Sequence, residues 1–231
     1  MQAAVLQGKK VLLTNSGNGL GFAIAIAFAQ AGAGVVIHDR STAVAAAAAE
    51  RLSLAVPGTQ VLSLGADLSV ESGRQMIKAE AGPVDILVID ALAEQAVDFS
   101  QLEERDAQHD RSVLRAQAEQ LLQVFVPGAD AGGPAQVFLL SLAASGEPGI
   151  SRLQHQQPGI SGSALYTASV DDLRLAPVAD LMRSEVLRTN NSLSDVADQL
   201  LADHRPAGIQ RGLATIQTLT RKIVEACGQK A

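Results

Sequence analysis

Residues 13–23 read LTNSGNGLGFA. A glycine-rich turn stands here between the apolar run KKVLLTN and the long segment GLGFAIAIAFAQAGA. The first, rich in branched side chains, suits a buried strand. The second suits a helix that is apolar nearly all round and so must be covered on most sides. A strand that enters such a turn and leaves as a helix lets backbone approach a pyrophosphate. The first N–H groups of the helix then face that group with partial positive charge. The same glycines also suit a plainer role, the closing of a tight helix–strand contact. The next strand, GVVIHD, ends in Asp39, where a carboxylate accepts bonds from an adenosine ribose. Asp39 favours NAD and repels the 2′-phosphate of NADP, while Arg40 beside it pulls the other way.

Outward from the turn the pattern alternates. STAVAAAAAERLSLAV is a strong helix former, with Ser41 or Thr42 as N-cap and Pro57-Gly58 as the stop. QVLSLGADL is a third strand, VESGRQMIKAEAG a shorter helix and VDILVIDA a fourth strand. A long polar helix is expected over 102–126, then a fifth strand in AQVFLLSLA. Strands separated by helices imply a doubly wound parallel sheet with helices on both faces. The crossover rule gives strand order 3-2-1-4-5, with the glycine turn where the order reverses. Residues 145–163 are rich in Gly, Pro, Ser and Gln and read as a loop insert. Beyond them only helices are expected. One starts at Ser192 or Ser194. Another carries Leu213, Ile216, Leu219, Ile223 and Cys227 on one face. The whole chain, 1–231, reads as a single α/β domain with an atypical, mostly helical C-terminal third.

The formal net charge of −6 disfavours nucleic acid and anionic membranes as partners. No apolar run reaches about 18 residues, and no charged-then-apolar leader is visible. Cys227 is the one cysteine, so no internal disulfide can form and a cytoplasmic setting fits. His38, His109, His155 and His204 are scattered and suggest no metal site.

On its motifs the chain resembles the short-chain dehydrogenase/reductase family over roughly residues 8–170. TNSGNGLG is similar to that family's Thr-Gly-x-x-x-Gly-Ile-Gly turn: Thr14, Gly19 and Gly21 match, Leu20 is a mild change, and Asn15 replaces the first glycine. Asparagine tolerates a left-handed backbone, so the turn can survive. GADLS matches the segment whose aspartate, here Asp67, contacts adenine. GPVDILV matches the approach to the fourth strand, but Asn-Asn-Ala-Gly has become Ile89-Asp90-Ala91-Leu92, with only Ala91 kept. The resemblance therefore implies a Rossmann-like fold with NAD held by Thr14, Asn15, Gly19, Leu20, Gly21, Asp39, Asp67 and Ala91. Leu92 in place of glycine and Asp90 in place of asparagine both work against that cofactor.

The family's catalytic set is a serine, a tyrosine, and a lysine four residues beyond the tyrosine. The tyrosine moves a proton, and the lysine holds the nicotinamide ribose and lowers the tyrosine pKa. Tyr166, in ALYTASVDD, matches the tyrosine and is the chain's only one. Val170 stands where the lysine belongs, and no lysine occurs between Tyr166 and Lys222. Arg174 is two helical turns away. Ser141 is the candidate serine, with Leu142 in the usual catalytic place and Ser145 or Ser151 as stand-ins. Gln117 is nearest to the family's helix-four asparagine. The family's sixth and seventh strands have no visible counterpart.

Three functions follow from the resemblance. One is a degenerate subunit supporting an active NAD-dependent hydroxyacyl-CoA or alcohol dehydrogenase. The second is a working oxidoreductase using Tyr166. The third is a lyase of the halohydrin dehalogenase type, against which Val170 and Gly19 both count. Family members assemble as homo- or hetero-oligomers. Leu114, Leu121, Leu122 and Phe125 in the fourth helix are the expected partner surface, unless they face the chain's own core.

Overall fold

The computed structural model describes residues 4–90, 120–125, 136–142, 149–152, 164–170, 175–203 and 205–228. In chain order the elements are β1 (Lys10–Leu13), α1 (Gly19–Gln30), β2 (Gly34–Asp39), α2 (Thr42–Ala55), β3 (Val61–Gly65), α3 (Glu71–Ala81) and β4 (Ile86–Asp90). Residues 120–125 are helical and are called α4. There follow β5 (Gln136–Leu142), β6 (Gly149–Arg152), β7 (Ala164–Val170), α5 (Leu175–Thr189), α6 (Leu193–Ala202) and α7 (Ala207–Gly228). The strands form one sheet in the order β3-β2-β1-β4-β5-β7-β6. All neighbours pair parallel except β6, which runs antiparallel to β7. The order 3-2-1-4-5 is therefore present as the alternating pattern requires. The fold is Rossmann-like.

Alternation along the strands divides the core. Val11 and Leu13 of β1, Val35 and Ile37 of β2, and Ile86 and Val88 of β4 face one side, with α1, α2, α5, α6 and α7. Leu12, Val36, Leu87 and Ile89 face the other, with α3 and α4. A period of two in the side chains gives this division directly. Helix α1 explains the crowding on the first side. Phe22, Ile24, Ala25, Ile26 and Phe28 are all wholly buried, so it presents no wet face along its length. The sheet covers one flank, and α2, α5, α6 and α7 cover the others. Gln30 ties α1 to α6: its Oε1 accepts the Leu193 N–H at 2.9 Å and its Nε2 donates to Asn191 O at 3.4 Å. The caps resolve to Ser41, which accepts the Val44 N–H, and Ser192, which accepts the Asp195 N–H.

Two expectations need correction. Residues 149–152, within the expected insert, form β6, and residues 164–170 form β7, so strands do follow the fifth. ALYTASV alternates Ala164, Tyr166, Ala168 and Val170 against Leu165, Thr167 and Ser169, a pattern that pairs as readily in a sheet as it winds in a helix. The expected partner surface also changes. Leu121, Leu122 and Phe125 are 6%, 3% and 5% exposed and pack with Leu68, Ile77 and Leu87, so they serve the chain's own core. Leu114 and the rest of 102–119 lie outside the described residues.

Leu122→Asp should accordingly destabilise the folded chain itself by about 3 kcal/mol or more, because an unpaired carboxylate enters an apolar core. Urea unfolding monitored by far-UV circular dichroism measures this. An unchanged midpoint with an altered oligomeric state would return these leucines to a partner surface.

Candidate functional site

The end of β1 is fastened to both neighbouring strands. Thr14 donates its N–H to Val88 O at 3.0 Å, and its Oγ1 accepts the Asp90 N–H at 3.0 Å. Asn15 then takes φ +50°. Its N–H donates to His38 Nδ1 at 3.2 Å and its Nδ2 donates to Asp90 O at 3.0 Å. The amide side chain bonds across to β4 in a way glycine could not, so the asparagine secures the left-handed turn as well as tolerating it. Ser16 donates its N–H to His38 O at 2.8 Å and its hydroxyl to Leu13 O at 2.9 Å. Gly19 opens α1 with φ +55°. Asn18, the N-cap, makes no side-chain cap bond, and the first bond of the helix runs from Phe22 N–H to Asn18 O. The N–H groups of Gly19, Leu20 and Gly21 precede that bond, which is the arrangement an anion requires.

Asp39 stands at the turn. A Cβ on Gly17 would meet Asp39 Oδ2 at 2.4 Å and Val44 Cγ1 at 2.6 Å, so glycine there lets the carboxylate approach. Asp39 Oδ1 accepts the Ser41 N–H at 3.0 Å. Arg51 of α2 braces the same turn from outside. It donates to Gly17 O at 2.8 Å and lies over the Phe22 ring at 5.2 Å. Arg40 pairs with Asp67 at 2.8 Å, joining the ends of β2 and β3. Ser69, through its hydroxyl and N–H, and then Arg40 hold the Asp67 carboxyl down at about 2. Both acidic residues expected on the adenosine side are thus at the strand ends.

The pyrophosphate side differs. Asp90, 3% exposed, sets its Oδ2 only 3.2 Å from where a Cβ on Gly21 would stand. A carboxylate therefore lies against the first turn of α1, where the helix dipole favours negative charge. A phosphate brought to that turn meets the oxygens of this side chain in a poorly solvated place. Ala91 and Leu92, the continuation of this strand, lie outside the described residues, as do Gln117, Ser145 and Arg174.

The residues to which the resemblance assigns catalysis are spread along the sheet. In β7 the Tyr166 backbone is level with Phe138 of β5, which is level with Val88 of β4 and, through it, Leu13 of β1. Tyr166 thus sits one position below Thr14, within the sheet. Ser141 pairs with Ser169, three positions further toward the strand ends, about 10 Å along the strand direction. Val170 is level with Leu142, so Tyr166 and Val170 are about 13 Å apart, where a helix would bring such a pair to about 6 Å. Ser151, in β6, faces Thr167. The structure gathers Thr14, Asn15, Gly19, Leu20, Gly21, Asp39 and Asp67 around the turn, and does not bring Ser141 and Tyr166 together.

His38 and Asp90 were not expected to shape the turn. His38 is 1% exposed, with Nε2 at 2.9 Å from Ala66 O. Its signal in the sequence was a polar residue inside an otherwise apolar strand. Among the described residues no cluster of His, Cys, Asp and Glu could hold a metal, and no helix is long and apolar enough to cross a membrane.

Residues 9–113 match the family model described as short chain dehydrogenase. Over this N-terminal segment the chain is similar to the short-chain dehydrogenase/reductase family. No curated protein matches it in sequence. Among solved structures it is similar to a hydroxysteroid dehydrogenase from Escherichia coli, at 24% identity and TM-score 0.47, over 61% of this chain and 58% of that one. It is similar to a 7α-hydroxysteroid dehydrogenase complexed with NADH and 7-oxo glycochenodeoxycholic acid, at 26% and 0.46, over 59% and 53%. A third is L-sorbose reductase from Gluconobacter frateurii, complexed with NADPH and L-sorbose, at 26% and 0.45, over 59% and 53%. The chain spans less than two thirds of the length of each.

Gly73→Ala would set a methyl 2.0 Å from Asp67 O, a backbone atom that cannot swing aside. It should lower stability by about 1–3 kcal/mol, read from the urea midpoint. Burial pushes the Cys227 thiol up to about 12. Iodoacetamide should therefore alkylate native Cys227 at least about tenfold more slowly at pH 8 than the urea-unfolded chain, as followed by mass spectrometry.

Proposed function

We propose that this chain is a catalytically degenerate short-chain dehydrogenase/reductase relative. It would support an active NAD-dependent hydroxyacyl-CoA or alcohol dehydrogenase as a subunit and carry out no hydride transfer of its own. The observation that carries the reading is the placement of Tyr166 in β7, level with Phe138 and far along the strand from both Ser141 and Val170. Proton transfer needs acid and substrate within hydrogen-bond reach, and a tyrosine without a cation titrates near about 10. A mid-strand tyrosine far along the strand from Ser141 and Val170 does not reproduce the family's catalytic arrangement.

The fit to NAD divides along the cofactor. Asp39 and the N–H groups of Gly19, Leu20 and Gly21 suit an adenosine ribose and its first phosphate. The Asp90 side chain opposes the pyrophosphate, and Val170 cannot supply the charge that the family's lysine gives to the nicotinamide ribose. The retained Asp39 geometry favours a second reading, a working oxidoreductase, and the same experiment separates the two.

NADH should bind the purified chain more weakly than about 100 µM, measured by calorimetry, and Asp90→Asn should tighten it by removing a buried like charge. The chain should turn over no ketone or alcohol alone, and Tyr166→Phe should leave any stimulation of an added active relative unchanged. Turnover by the chain alone, abolished in Tyr166→Phe, would establish the oxidoreductase reading instead.

A further inference from the structure

We infer that His38 is the positioning residue of the glycine turn, and that it holds Asn15 in place only as the neutral imidazole with its hydrogen on Nε2. The argument begins with its two partners. Ala66 O can only accept, so Nε2, 2.9 Å away, must carry a hydrogen. The Asn15 N–H can only donate, so Nδ1, 3.2 Å away, must present a lone pair. Both neighbours demand one tautomer. A proton on Nδ1 would set two donors face to face, in a place the solvent does not reach.

Asn15 has reason to need the bond. Its φ of +50° is sparsely populated by non-glycine residues and persists where surrounding contacts fix it. Ser16, next in the chain, bonds to the backbone oxygen of the same histidine at 2.8 Å. One bond of the turn thus depends on the ring, and the adjacent one does not. A local release therefore has its own internal control.

The charges around the ring leave burial in command. Asp39, its neighbour on β2, favours the proton, as does the Ala66 carbonyl, while burial opposes it and keeps the ring below its usual 6.5. Beyond β3, Asp67 is turned to Arg40 and Ser69. On α3, Arg74 donates to Leu68 O and Glu71. On β4, Asp90 gives its backbone oxygen to Asn15 Nδ2 and its carboxylate lies at Gly21. The sign of the linkage follows. Well above pH 6.5 the ring is neutral in folded and unfolded chains, and the full stability is present. Below 6.5 the unfolded chain takes up a proton that the folded chain refuses, so stability falls until the folded ring also titrates. At that point the Asn15 bond is lost. This inference concerns the turn itself and stands whether or not a nucleotide binds there.

The test is ¹⁵N nuclear magnetic resonance on the full chain between about pH 7.5 and about pH 5, following the His38 ring nitrogens and the Asn15 and Ser16 amides. At neutral pH the ring should show hydrogen on Nε2 alone. As it protonates, with an apparent pKa below 6.5, Asn15 exchange should quicken by about tenfold or more while Ser16 changes less. His38→Asn, whose Oδ1 can stand in for Nδ1, should hold Asn15 without that pH dependence. If the variant does not fold, the wild-type tautomer and amide data decide alone. Hydrogen on Nδ1 at neutral pH, titration at or above 6.5, an Asn15 amide that stays protected once the ring is charged, or equal loss at Ser16 would each overturn the proposal.

Discussion

The enclosure of α1 is the constraint on which the rest of the structure depends. A helix with Phe22, Ile24, Ile26 and Phe28 wholly buried cannot lie on a sheet with one flank in water. Each such side chain left exposed would forfeit about 1.5–3 kcal/mol. The sheet and α2 are not enough to cover it, so α5, α6 and α7 gather on the same face. This gives the atypical C-terminal third a physical purpose. The amphipathic stripe of α7, from Leu213 to Ile223, is the cover that α1 requires, and Gln30 fixes the joint by satisfying an otherwise orphaned N–H at the start of α6.

That enclosure also sets the site. With α1 held rigidly, its first turn is delivered to the ends of β1 and β4, and the glycine turn has little freedom left. Thr14, Asn15 and Ser16 spend their hydrogen bonds on Val88, Asp90, His38 and Leu13. The turn is stitched to strands on both sides before any ligand is considered. Arg51 closes the outer side through Gly17 O and the Phe22 ring. A turn held this way needs no ligand to keep its shape, because its contacts are structural.

The first five strands were legible because each is a short, branched, apolar run bounded by turn residues, and the helices between them carry clear starts and stops. Asp39 and the glycines were legible for the same local reason: their spacing from the strand ends is fixed. The strands β6 and β7 were not. GISR is four residues inside a stretch rich in Gly and Pro, and ALYTASV is short enough to satisfy either period. The resemblance to the family favoured a helix there, and the pairing with β5 favours the strand. The bonds that His38 and Asp90 make to the turn were hidden differently. Each is a polar residue in an apolar strand, and only three-dimensional pairing reveals what it bonds to.

Asp90 and Val170 change the charge at the site in the same direction. Asparagine to aspartate adds a negative charge beside α1, and lysine to valine takes away a positive one near the nicotinamide ribose in the family's arrangement. The helix dipole at Gly19–Gly21 offers roughly half a positive charge, and the Asp90 side chain already stands against it. The same carboxylate that opposes a phosphate is well placed for the fold, since it complements the start of the helix. The side chain that crowds this turn therefore also helps to hold α1 where it meets the sheet.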